Sequence, residues 1–232
     1  MIDLHCHLLP NMDDGSESVE QTRAMLDKLA QQGVTAVAAT SHFYGDRETP
    51  ASFLRRRGEA LAQIQASPTH PKIIPGAEVA FFSGISTCEE IIPMQLGQTG
   101  LILVEMPFCA WSDRIVDEIL LMKERLGLTP VLAHIDRYRN KKQFPKYYET
   151  FLEHDVYFQC NTPVFSKPWE RHWALNLVKK GHIHFLGTDA HNTTTRPPEI
   201  LAATQIMEKK LGANAVKQFH LKASQLLFSE CL

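Results

Sequence analysis

LILVEMPFCAWSDRIVDEILLMKERLGLTPVLAH, residues 101–134, is a strand–helix–strand unit. The apolar run at 101–105 ends in a carboxylate, and the run at 129–134 ends in an imidazole. Between them, residues 112–126 place apolar side chains near helical spacing, and Gly127 stops that helix. Two short apolar strands joined through a helix run parallel, because the crossover returns the chain to the same end of the sheet.

Working outward from this unit, the scheme repeats. Strand candidates precede it at 2–5, 34–40 and 72–78, and follow it at 156–161 and 184–189. Helices are expected at 16–32, with Ser16 or Ser18 as the cap, and at 51–65, 143–154, 168–180 and 197–211, with another in the C-terminal segment. Seven strands alternating with helices predict a parallel α/β barrel. No Gly/Ser-rich or Pro-rich linker divides the 232 residues, a length that suits one such barrel as a single domain, 1–232.

Ligand-type side chains stand where the strands finish. His5 and His7 close the first strand, one residue apart, and an extended backbone puts both imidazoles on one face. Asp13 and Asp14 follow in the next loop, and His42 follows the second strand. Glu78 ends the third, Glu105 the fourth and His134 the fifth; Asp189 and His191 end the seventh. In a parallel barrel these ends share one rim, where active sites of such barrels lie. Imidazole with carboxylate is a ligand set for Zn, Mn, Fe or Co. Cys6, between the two histidines, should face the opposite way and pack as a small apolar group. His182 and His184 share the same spacing but precede an apolar run, so they read as structural. The five histidines and four carboxylates exceed the needs of one ion, which takes about four to six ligands. Two or three divalent ions are therefore expected. Such clusters suit phosphate-ester hydrolysis, since they lower the pKa of water and hold phosphoryl oxygens. Arg137 and Arg196 hang from loops on the same rim, and a guanidinium fork fits those oxygens.

The composition narrows the alternatives. Hydrophobic residues make up 44% and charged residues 22%, and the net charge is −2. That balance is ordinary for a soluble globular protein and gives no footprint for nucleic acid. The run Arg55-Arg56-Arg57 reads as a solvated helix face. The five cysteines, at 6, 88, 109, 160 and 231, are odd in number and lack CxxC spacing, so a reducing cytoplasm is expected. No secretory signal is visible, and no stretch approaches the roughly 18–20 apolar residues of a membrane span. A cysteine phosphatase loop is absent: Arg114 follows Cys109 by five positions, where Cys-x5-Arg requires six.

The motifs together resemble the PHP (polymerase and histidinol phosphatase) superfamily. They are IDLHCHLLP at 2–10, Ser-His at 41–42, Glu78, His134 and Asp-Ala-His at 189–191. HCHLLPNMDDGS at 5–16, ETP at 48–50, GAE at 76–78, AHIDRY at 133–138 and TDAHNTTTRPP at 188–198 select the CpsB/YwqE group. These are the bacterial protein-tyrosine phosphatases of capsular and exopolysaccharide operons. The resemblance covers nearly the whole chain. It implies a PHP-type distorted TIM-like (β/α)7 barrel with a trinuclear site favouring Mn, with Fe or Zn possible. By motif position His5, His7, Glu78 and Asp189 would hold one ion. Glu78, Glu105 and His134 would hold a second, and Asp14, His42 and His191 a third. Arg137 and Arg196 would bind phosphate. The implied substrate is the phosphotyrosine tail of a bacterial tyrosine autokinase. One departure is that Phe43-Tyr44 stand where related sequences can carry basic residues; with Phe108 and Trp111 they suggest an aromatic rim, able to stack a phenyl ring or to cover the barrel. Rival readings are a histidinol-phosphate phosphatase-like enzyme, a non-catalytic kinase-binding regulator, and a nuclease or proofreading module. Oligomerisation is left open.

Overall fold

Local signals place the helices of this computed structural model, which describes residues 1–65, 67–140 and 143–228. Ser18 caps α1 (Val19–Gln31) by accepting the Gln21 N–H at 3.2 Å. Thr49 and Pro50 open α2 (Pro50–Ala62). Ser112 caps α3 (Asp113–Leu126), and Gly127, in the left-handed region, ends it. Three more helices, α4 (Gln143–Glu153), α5 (Pro168–Lys180) and α6 (Leu201–Leu211), precede α7 (Ala213–Phe228). The sixth begins at Leu201 rather than near Pro197, because the ring of Pro198 disfavours helical backbone at the residue before it.

The strands are β1 (Ile2–Cys6), β2 (Ala36–Ala39), β3 (His42–Phe43), β4 (Lys72–Pro75) and β5 (Glu78–Ala80), followed by β6 (Leu101–Glu105), β7 (Thr129–Leu132), β8 (Tyr157–Asn161) and β9 (Phe185–Gly187). Among the described residues nine strands thus replace the seven expected, because the second and third apolar runs each break in two. The breaks fall at Thr40-Ser41 and Gly76-Ala77. There the Thr40 hydroxyl accepts the Cys6 N–H, and Gly76 lies so close to Leu96 that a Cβ would meet its side chain at 2.6 Å. His42 and Glu78 consequently open strands rather than closing them, and they are register partners.

All strand pairs are parallel, in two sheets ordered β1-β2-β4 and β3-β5-β6-β7-β8-β9. The sheets curl until the last strand reaches the first: the Asp189 N–H donates to the His5 carbonyl at 2.7 Å, and the His7 N–H to the Ala190 carbonyl at 2.8 Å. A register shift in β1 between Asp3 and Cys6 re-aims the chain. Ile2 and Leu4 therefore join an apolar cluster with Leu101, Leu103, Val131 and Phe185, and α7 covers it with Ala223 and Leu227. A larger core lies between sheets and outer helices and includes Cys6, Val37, Ile102 and Leu132.

Cys6 is fully buried in that outer core, as a small apolar group would be. Cys6, Cys88 and Cys160 are free thiols, and Cys231 lies outside the described residues. The arginine run is not a merely solvated face. Arg55 pairs with Glu59 at 2.8 Å in solvent, but Arg56 bonds Glu48 and the Met12 carbonyl, and Arg57 bonds the Gly76 carbonyl at 3.0 Å. Two of the three therefore tie α2 to the loops beside the rim. Among the described residues no helix is long and apolar enough to cross a membrane.

Candidate metal centre

All nine proposed ligand side chains converge at the carboxy-terminal rim of the strands. Their donor atoms touch in three overlapping sets. His5 Nε2 lies 3.1 Å from His7 Nε2, 3.1 Å from Glu78 Oε2 and 3.7 Å from Asp189 Oδ1. His134 Nε2 lies 2.9 Å from Glu78 Oε1 and 3.2 Å from Glu105 Oε1. Asp14 Oδ1 lies 3.4 Å from His191 Nε2 and 3.8 Å from His42 Nε2. His7 also sits within ligand range of the Asp14, His42 and His191 group.

A test for metal is whether these atoms satisfy one another by hydrogen bonding. They do not. Glu78 is 1% exposed, and its Oε2 accepts no hydrogen bond although His5, His7 and His42 nitrogens stand 3.1, 3.3 and 3.0 Å away. His42 Nδ1, His134 Nδ1 and His191 Nε2 are likewise buried and unbonded. Such orphaned groups are costly. Ligand atoms around an ion at metal–nitrogen distances would be about 3.0–3.4 Å apart. Most of the spacings here, from 3.0 to 3.4 Å, match that edge length, with His5–Asp189 at 3.7 Å and His42–Asp14 at 3.8 Å wider, and the donor set is oxygen and imidazole.

The imidazoles are aimed from behind. His7 Nδ1 donates to Asp13 Oδ2 at 2.7 Å, His5 Nδ1 to Gln159 Oε1 at 3.2 Å, and His191 Nδ1 to the Asp189 carbonyl at 3.0 Å. Each bond leaves Nε2 lone pairs facing the cluster, an arrangement that typically supports metal ligation. Asp13 also accepts the His42 N–H at 2.7 Å and the Gly15 N–H at 3.0 Å. Gln159 accepts the His134 N–H at 2.6 Å, and Asn161 donates to Asp189 Oδ2 at 3.0 Å. Asp3 holds Thr188 through its N–H at 2.8 Å and its hydroxyl at 2.6 Å. Asp13 was noted in the sequence beside Asp14, but Gln159, Asn161 and Asp3 were not singled out. The available signal was polar Gln159 and Asn161 at period two in the apolar run VYFQCN, and Asp3 two residues before His5.

Close approach and backbone strain concentrate here. A Cβ at Gly187 would meet His5 Cβ at 2.5 Å, so only glycine lets β9 lie against β1 at this level. His134 and Asp189 both adopt positive φ, 34° and 53°. Non-glycine residues rarely do so, and the surrounding structure must hold them there.

Electrostatics follows from this crowding. Burial disfavours charge on Glu78, but His5, His134 and His42 around it hold its carboxyl well below the usual range. Burial likewise opposes charge on Asp189, and His5, His7 and Arg137 overcome it, lowering that pKa too. Burial pulls the His134 pKa down, yet Glu105 and Glu78 raise it to about 9. His191 falls to about 4 through burial, His7 and Arg196.

Arg137 and Arg196 reach the same rim, each bonding one oxygen of Asp189, the latter at 2.6 Å. The aromatic rim is half as large as expected. Phe43 and Trp111 are buried in the core, the indole N–H donating to the Pro107 carbonyl at 2.8 Å. Tyr44 and Phe108 remain at the surface, stacked on His42 and His134. His184 accepts the Phe158 N–H at 3.0 Å and His182 bonds the Tyr148 hydroxyl at 2.5 Å, both away from the cluster.

Fold and site define the class: a parallel α/β protein with a multi-histidine, multi-carboxylate cluster of metal-ligating type on one rim. The chain belongs to the CpsB/CapC family of capsular polysaccharide synthesis, whose family model matches residues 1–229. Tyrosine-protein phosphatase YwqE of Bacillus subtilis is 27% identical over 245 residues, covering 100% of this chain and 93% of the relative. Tyrosine-protein phosphatase CpsB of Streptococcus pneumoniae is 29% identical over 229 residues, covering 94% of each. Crystal structures of YwqE and CpsB describe unique metal-dependent tyrosine phosphatases. One such chain superposes with a TM-score of 0.83 at 25% identity, covering 98% of this chain and 94% of that one.

Proposed function

We propose that this chain is a metal-dependent protein-tyrosine phosphatase acting on the phosphotyrosine tail of a bacterial tyrosine kinase that governs capsular or exopolysaccharide synthesis. The observation that carries the reading is Glu78 Oε2, buried and unbonded amid three imidazole nitrogens at 3.0–3.3 Å. The family and the tyrosine-phosphatase relatives support the substrate class. The reading includes a PHP-type, TIM-like (β/α)7 barrel as a single domain over 1–232, in the cytoplasm.

His5, His7, Glu78 and Asp189 would hold one divalent ion. Glu78, Glu105 and His134 would hold a second, and Asp14, His42 and His191 a third, with Mn favoured. When bound, such ions supply an acidified water and neutralise phosphoryl charge. The chain's own groups do the rest. Asp13, Gln159 and the Asp189 carbonyl fix the imidazoles before substrate arrives. Arg137 and Arg196, 36% and 40% exposed, each keep N–H donors beyond the one spent on Asp189. Those donors bind the phosphoryl oxygens and stabilise charge as it grows. The water oxygen joins phosphorus as the P–O(aryl) bond breaks, and the phenolate leaves with the bonding pair. Its pKa of about 10 makes it a fair leaving group. No covalent phosphoenzyme is required.

Elemental analysis paired with phosphotyrosine-peptide turnover tests this. Expected are two or three divalent ions per chain, loss of turnover on chelation and recovery with Mn. Full hydrolysis by metal-stripped protein would overturn the metal reading. Preference for histidinol phosphate over the peptide would overturn the substrate.

A further inference from the structure

Glu78 is flanked by two imidazoles, and each carries an aromatic ring on its outer side. His42 Nδ1 lies 3.0 Å from Glu78 Oε2, and Tyr44 stacks on His42 with ring centroids 5.0 Å apart. His134 Nε2 lies 2.9 Å from Glu78 Oε1, and Phe108 lies parallel to His134, centroids 6.2 Å apart and planes at 14°. We infer that Phe108 and Tyr44 wall a slot that selects aryl over alkyl phosphates, with Phe108 the specificity-determining residue. This rests on the phosphatase reading above.

Three observations single out Phe108. It is 49% exposed, and the other large exposed apolar side chains among the described residues, such as Trp169 and Leu221, lie on outer helices. A ring that forgoes burial at the mouth of a polar cluster is available to a ligand. Its loop is anchored rather than loose. The Tyr138 hydroxyl donates to the Met106 carbonyl at 2.7 Å, the Trp111 indole to the Pro107 carbonyl at 2.8 Å, and Trp111 packs on Tyr138 at 5.1 Å. Two buried aromatics thus fix the backbone just before Phe108, so its ring is presented with little ordering left to do on binding.

The opposite wall has matching features. Tyr44 is half-buried, the Arg47 guanidinium sits over its ring 4.2 Å from the centroid, and on its own side of the rim Tyr44 lines a cavity of ≈ 570 Å³ with Asp14, His42 and Arg47. A phosphoryl group over Glu78 would leave its ester oxygen between the two walls. An aryl ester then meets the half-exposed ring of Phe108, where offset stacking adds to apolar contact, while an alkyl ester meets the same space with little to fill it.

Calorimetric titration of the Mn-loaded protein with phenylphosphonate and with methylphosphonate tests the slot without chemistry or leaving-group effects. Phe108→Ala should weaken phenylphosphonate roughly three- to tenfold and leave methylphosphonate nearly unchanged. Phe108→Trp should restore the preference. Equal weakening of both ligands, or no change in either, overturns the slot while phosphotyrosine-peptide turnover stands. A parent protein that hydrolyses no phosphomonoester overturns the phosphatase reading and the slot together.

Discussion

The two ends of this curled sheet obey opposite rules. At the amino-terminal end the apolar side chains Leu101, Leu103, Val131 and Phe185 join one buried cluster with Leu227 of α7. A few residues further along the same strands, Glu105, His134 and Asp189 face each other with orphaned donors, two positive-φ residues and displaced pKa values. One end stores stability, and the other carries buried polar groups left without hydrogen-bond partners. The difference teaches that a parallel sheet can bear a costly polar rim when apolar packing below it is complete.

The largest expected effect breaks the rim alone. Glu78→Gln keeps the shape but removes the charge shared by three imidazoles, and phosphotyrosine turnover should fall about a thousandfold or more. Measured kcat/KM near that of the parent would refute the shared-carboxylate role. At the other end, Leu103→Ala should lower unfolding free energy by about 2–5 kcal/mol through cavity formation, with turnover per folded molecule kept. Denaturant titration and active-site counting check both halves. Loss of turnover at unchanged stability would dissolve the division between ends.

The supporting groups sharpen the comparison. Asp13→Asn removes the charge that orients His7 and should weaken metal retention about 10–100-fold, read by competition with a chelator. A smaller effect belongs to His184, beside the lower end of β9. Burial, with His182 nearby, lowers its pKa from 6.5 to about 4, since the Nδ1 that accepts the Phe158 N–H must stay unprotonated. The unfolded chain then binds the extra proton, so stability present at pH 7 is lost as pH falls from 6.5 towards 4. At pH 5 the loss is on the order of 2 kcal/mol. His184→Asn keeps an acceptor without titrating, and its melting temperature should fall less between pH 7 and 5 than the parent's. The smallest change is Arg55→Ala, which breaks a solvent-exposed pair with Glu59 and should cost under about 0.5 kcal/mol. A larger melting shift would mean that the pair is structural, as those of Arg56 and Arg57 are.

Strand ends were legible because apolar runs closing in His, Asp or Glu are a local pattern, visible at Glu105 and His134 without any neighbour. The breaks at Thr40-Ser41 and Gly76-Ala77 were not, since they arise where a second strand or Leu96 presses on the chain. Phe43 and Phe108 look alike as sequence, yet one is buried and the other half exposed, because packing against α2 and Phe53 claims only the first.

By itself the sequence determined a parallel α/β chain with nine ligand-type side chains at or near strand ends, since hydrophobic period, caps and residue chemistry are properties of short segments. Only the tertiary structure decided which of those side chains share an oxygen of Glu78, that Asp13, Asp3, Gln159 and Asn161 stand behind them, and which aromatics keep the rim. Those facts depend on distances between residues that the chain separates by up to 185 positions, as Asp3 and Thr188 are, and distance of that kind is set by how the sheet curls.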